Sequence, residues 1–330
     1  VVAASGVNPL VAYRALFEGA LGSGTAIGRT LEKATPLVLS GLAVAFAFKA
    51  GLFNIGGQGQ LILGASVAAW VGFAVELPAL VHAPAALLAG GLAGAAWGAV
   101  PGILKATTGA HEVITTIMLN FVAINLTDWL ADGPWKDDAV GNIVARTPPI
   151  HPSADIPSIG IVPAGFIISL AVVAATWWLL YKMPFGFEVR TVGLNPSAAR
   201  YAGMRVALTV ALTMAISGML AGLGGAVETQ GVVGRYQPGF SAGLGFEGIT
   251  IALLGRTHPF GMIPAALLVG AMQAGTSRMQ FEAGVAAEIV DVVQGLMLFF
   301  VAADVIVRRL IRARDGGEPR VQLSSGWGRA

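Results

Sequence analysis

The chain has 330 residues, of which 55% are hydrophobic and 12% charged, and its formal net charge is +2. A soluble domain carries about 25% charged residues, so a chain this poor in charge, with a mean hydropathy of +0.74, has lipid as its solvent. The weak positive balance does not suggest a nucleic-acid partner, and the absence of cysteine excludes disulfides, thiolate metal sites and cysteine nucleophiles.

In chain order, Val1 to Gly6 is too short for a signal peptide or a spanning helix. Residues 1–29 read as an N-terminal periplasmic segment, following a first helix expected upstream of Val1. Apolar stretches of bilayer-spanning length, roughly 20 residues, follow at 30–48, 60–76, 85–104, 112–130, 161–181, 206–225, 261–279 and 285–307. A shorter stretch at 245–256 reads as a broken or re-entrant helix. The predicted fold is all-α, a polytopic transmembrane helix bundle forming a single domain of about nine or ten spans. The segment 131–160 carries Pro134, Pro148, Pro149, Pro152 and Pro157, which argues against helix and predicts an ordered periplasmic loop. Placing 182–205 and the tail 308–330 in the cytoplasm puts most of the Lys and Arg inside, including the run Arg308 to Arg314. The positive-inside rule favours that orientation.

The chain also repeats itself. Residues 84–90 read PAALLAG and 264–270 read PAALLVG. Under the predicted topology the two copies run in opposite directions, so the halves 30–130 and 206–307 form an inverted repeat, with a pathway expected at their interface. Gly90, Gly94, Gly98 and Gly102 recur every four residues, as do Gly218 and Gly222 on a later span. Such smooth faces let helix backbones approach closely where lipid supplies no hydrophobic drive.

Four polar or glycine-rich segments interrupt the spans: GLFNIGGQGQ at 51–60, PGILKATTGAHEVITTIMLN at 101–120, GLNPSAARYAGM at 193–204 and GFEGITIALLGRTHPFG at 245–261. Taken together, in this order and spacing, they resemble the permease subunits of bacterial ABC importers of the nucleoside and simple-sugar group. The resemblance covers roughly residues 30–307, and HEVITTIMLN points to the nucleoside branch. It implies a permease of the bacterial inner membrane with a cytoplasmic C-terminus. The implied partners are an ABC ATPase subunit, a second permease chain (homologue or copy) and an extracellular substrate-binding lipoprotein. No GxxxxGK[ST] phosphate loop occurs in the sequence, so ATP and Mg are expected on the partner ATPase, and no cofactor or metal on this chain. It is read as a transport subunit, not an enzyme.

The segment 193–204 reads as a bounded cytoplasmic helix over 196–202. Asn195 suits the N-cap, Pro196 the first helical position and Gly203 the residue past the end. The resemblance implies that this helix, with Gly193, Ala198, Ala199, Arg200 and Tyr201, docks into the ATPase, seated by Glu188 and Arg190. An interfacial helix resting on anionic membrane lipid is the alternative.

Polar groups at membrane depth are the other candidates, since an acidic side chain at a helix centre costs about 2.5–3.5 kcal/mol on the insertion scale. Glu112, Thr116 and Asn120 share one helical face by their spacing of four, and Glu288, Asp291 and Gln294 share another by their spacing of three. They line a hydrated pathway for a nucleoside, or, for Glu112 and Glu288, complement helix N-terminal dipoles. Asn54, Gln58 and Gln60 cap broken helices or touch substrate, and Glu228, Gln230 and Glu247 are weaker candidates. His82, His111, His151 and His258 show no metal-ligand spacing. Two rivals stay open: a simple-sugar permease, and a proton-coupled secondary transporter using Asp291 or Glu288.

Overall fold

The computed structural model describes residues 8–239, 243–286, 288–296 and 299. The expectations for Val1 to Gly6, for the end of the last predicted span and for the basic tail 308–330 lie outside the described residues.

The fold is an all-α bundle with one two-residue hairpin. Among the described residues, six helical segments are long and apolar enough to cross a membrane: Gly24–Lys49, Ala79–Thr108, Glu112–Asp132, Ala164–Lys182, Val206–Val233 and Pro259–Ala283. These contain α2 (Gly24–Lys49), α4 (Ala79–Thr108), α5 (Glu112–Asp132), α6 (Ala164–Lys182), α9 (Val206–Glu228, continued by a π turn at Thr229–Val233) and α11 (Met262–Ala283). Two further helices are shorter, α3 (Gly57–Ala74) and α10 (Leu244–Leu254). At 1.5 Å per residue, α10 is about 16 Å long, half a bilayer. The described part of the last predicted span is helical at 288–296.

Three helices lie outside the predicted spans. α1 (Pro9–Leu21) is started by Asn8, whose side chain accepts from the Leu10 amide, and by Pro9 at the first helical position. It packs on α11, with Ala12 and Ala15 buried. Arg278 joins the two helices through Glu18 at 2.7 Å. α7 (Pro184–Leu194) and α8 (Pro196–Tyr201) fill the segment between α6 and α9.

The centre of the bundle is α2, whose residues Ala34 to Ala47 are buried in an unbroken run. It is covered by α9, α10, α11 and α6, which explains why the run 34–47 is without charge on any side instead of amphipathic. The glycine faces on α4 and α9 meet each other. A Cβ on Gly98 would sit 3.0 Å from the Gly218 Cα, and one on Gly94 only 2.8 Å from the Gly222 Cα. Any side chain there would force the backbones apart, so this interface depends on bare glycine.

The segment 131–160 is largely irregular and is tied to the bundle by main-chain bonds. Thr147 N–H donates to Tyr236 O, Ile150 N–H to Gly234 O, His151 N–H to Gly72 O and Ile156 N–H to Gln230 O. Tyr236 is itself tied to α5, donating its hydroxyl to Thr127 at 2.8 Å. Burial among these groups pushes the Tyr236 phenol well above its ordinary value.

Candidate functional site

α2 ends at Ala50, and Gly51 turns the chain with φ +72°, a conformation glycine adopts without strain. The chain then stays non-helical until α3 starts at Gly57. This break would strand amide groups inside the bundle, and side chains satisfy them. Asn54 Oδ1 accepts from Gly56 N–H at 3.0 Å, while its Nδ2 donates to Gln60 Oε1 and to Ser217 Oγ. Ser217 in turn donates to the Ala43 carbonyl at 2.6 Å. Asn120, from α5, accepts from Gly59 N–H at 2.8 Å and donates to the Ile55 carbonyl at 2.9 Å. Thr116, one turn earlier on the same face, is fully buried and bonds back to Val113 O.

A second helix start lies against this one. Gly245, in the first turn of α10, donates its N–H to Gln58 Oε1 at 2.8 Å, and the two backbones touch where both residues lack bulk. α3 and α10 therefore begin side by side within the bundle, with Gln58 capping the latter.

Two residues beyond Gly245, Glu247 accepts from Gln273 Nε2 of α11 at 2.6 Å. Lys33 on α2 acts electrostatically on both Glu247 and Glu228, and Asp291 acts on Glu247. Lys33 and Asp291 are exposed, Glu247 and Gln273 half-buried. Together these groups make a polar strip contributed by α2, α10, α11 and the helical residues 288–296. Gln294, one turn from Asp291, has its Nε2 buried without a hydrogen-bond partner among the described residues. Glu288 is exposed.

Glu112 lies apart from this strip. It forms a buried ion pair with Lys105 at 3.0 Å, joining α5 to the end of α4. The spacing that groups Glu112 with Asn120 is real, but the two make different contacts. Sequence reasoning did not single out Lys33, Gln273 or Ser217. Their roles depend on partners far along the chain, as with Ser217 and Ala43, and no local pattern marks them.

On the other side of α2 lies the 182–205 segment. Asn195 caps α8 through Ala198 N–H at 3.0 Å, and Gly203 leaves it at φ +82°. Ala199 is fully buried and anchors the helix, while Arg200 faces out. Leu194 and Tyr201 are 83% and 95% exposed. Glu188 accepts from Thr209 of α9 at 3.3 Å, and Arg190 stacks over the Tyr181 ring of α6 at 5.0 Å. Both side chains fix the arm that carries α8.

Residues 26–302 match the family described as branched-chain amino acid transport system / permease component. The chain belongs to that permease family. The permease is 40% identical to the guanosine ABC transporter permease protein NupP of Bacillus subtilis over 92% of this chain and 88% of that protein. It is 35% identical to the nucleoside ABC transporter permease protein NupB of Lactococcus lactis over 94% and 88%. It is 38% identical to the glucose ABC transporter permease protein TsgB13 of Haloferax volcanii over 92% and 83%. This permease is thus a multi-pass membrane component of a transport system, not an enzyme.

Proposed function

We propose that the chain is the channel-forming subunit of an ATP-driven importer of nucleosides in the bacterial cytoplasmic membrane, with α7 and α8 facing the cytoplasm. The observation that carries the coupling half of this reading is α8, capped by Asn195 and anchored by Ala199, with its Tyr201 and the last residue of α7, Leu194, left exposed. That partner is an ABC ATPase, which holds ATP and Mg. The substrate half draws support from guanosine and nucleoside permeases that align over more than nine-tenths of the chain.

The polar strip of Lys33, Glu247, Gln273, Asp291 and Gln294 supports a passage closed by a second permease chain, homologue or copy. Charged groups at that depth cannot face hydrocarbon without a cost of several kcal/mol. Hydroxyls and base edges of a nucleoside suit such mixed donors and acceptors. In this reading Asn54, Gln58, Gln60, Thr116 and Asn120 shape the passage by fixing the helix breaks. A loaded extracellular lipoprotein delivers substrate outside, and closure of the ATPase moves α8. The glucose permease relative keeps simple sugars as the second substrate class. Deleting the partner ATPase gene should abolish nucleoside uptake through this chain; uptake that persists and responds to a protonophore would favour a secondary transporter instead.

A further inference from the structure

The docking helix and the polar strip sit at opposite ends of one contact chain. Thr191 O accepts from Asn195 N–H, so α8 is bonded directly to the end of α7. Gly193, in the last turn of α7, lies against the end of α2. A Cβ there would fall 2.9 Å from the Ala50 carbonyl carbon and closer still to the Lys49 oxygen. From the other side, a Cβ on Gly51 would lie 3.3 Å from the Gly193 oxygen. Backbone meets backbone here, with no side chain between to cushion a displacement.

Beyond Gly51 the chain is held on both sides of the exposed Phe53. Leu52 is fully buried and returns its N–H to Ala47 O. Asn54 bonds Gln60 and Ser217, Asn120 grips Ile55 and Gly59, and Gln58 caps α10 at Gly245. Glu247 and Gln273 follow. A packed interior is stiff and carries a shift through contact instead of absorbing it.

We propose that Gly193 is the transmission point between the docking helix and the passage, and that residues 51–58 carry its motion to the start of α10. In this scheme Gly193 and Gln58 are positioning residues: Gly193, expected from the resemblance to dock with the ATPase, packs on the end of α2 instead, and Gln58 takes the capping role of its two expected ones. Bulk at position 193 separates α7 from the end of α2, so ATP is hydrolysed without substrate moving. The proposal rests on the importer reading above.

The test is a double-mutant cycle on the full complex with its ATPase and binding protein in vesicles, reading guanosine imported per ATP hydrolysed. Gly193→Ala and Gln58→Met are each expected to lower that ratio by about tenfold, with the ATPase still co-purifying and hydrolysing. If they act in one relay, the double variant falls no lower than the worse single variant; independent effects would multiply. A wild-type ratio in either single variant, or multiplied losses, overturns the relay. Should Gly193→Ala fail to assemble, Gln58→Met decides the matter, since it removes an acceptor without adding bulk against a backbone. A wild-type complex with no ATP-dependent uptake would overturn the importer reading, not the relay alone.

Discussion

Asn54 donates its side-chain amide to Ser217 Oγ at 2.7 Å across 163 positions of sequence. That bond ties the break after α2 to the middle of α9. The arrangement is unequal: Ser217 has a second partner in Ala43 O, whereas Asn54 also serves Gln60 and the Gly56 amide. Asn54→Ala should therefore cost more than Ser217→Ala: it strips Gln60, Ser217 and the Gly56 amide of a partner, at about 1–3 kcal/mol for each group stranded, whereas Ser217→Ala leaves Asn54 bonded to Gln60 and Gly56. Thermal unfolding in detergent, followed by size-exclusion, gives the ranking. Equal losses would show that the break is held by packing alone.

The Lys105–Glu112 pair offers a second stability test. Both side chains are 7% exposed, so replacing either one leaves the other's charge buried without its ion pair. Lys105→Met and Glu112→Leu should each destabilise by about 3–5 kcal/mol, and the double replacement should recover most of that loss. The same unfolding assay reads it, with additive losses as the contrary result.

Much of this bundle was legible in the sequence because bilayer thickness sets a length for each apolar stretch. The start and stop of α8 were legible too, since Asn195, Pro196 and Gly203 mark them locally. α1 went unpredicted: Arg14 and Glu18 dilute its apolar pattern, and its burial comes from α11, some 260 positions away. Its opening, Asn8 followed by Pro9, was the available signal. The depth at which α3 and α10 begin was not legible. GLFNIGGQGQ announces a break, but only the fold shows that Gln58 reaches Gly245.

α8 makes a prediction about assembly. Tyr201→Ala removes the most exposed ring on the arm and should weaken ATPase association by about 2 kcal/mol, roughly 30-fold in Kd, as truncation of an interface anchor does. Asn195→Ala should cost about 1 kcal/mol through the lost cap, and Asn195→Asp should restore it. Co-purification and a titration of detergent-solubilised permease with the ATPase measure both. A Tyr201→Ala variant that binds as tightly as the parent would favour lipid contact for this helix.

The account's central claim is ATP-driven nucleoside import, and uptake in a reconstituted system tests it most directly. The permease would be placed in vesicles with its ATPase, second permease chain and binding protein, and radiolabelled guanosine, adenosine and ribose uptake followed with and without ATP. The account predicts uptake of a nucleoside that starts on adding ATP and stops on its removal. Ribose uptake alone would keep the transporter class and overturn the substrate. Nucleoside uptake indifferent to ATP would contradict the account itself.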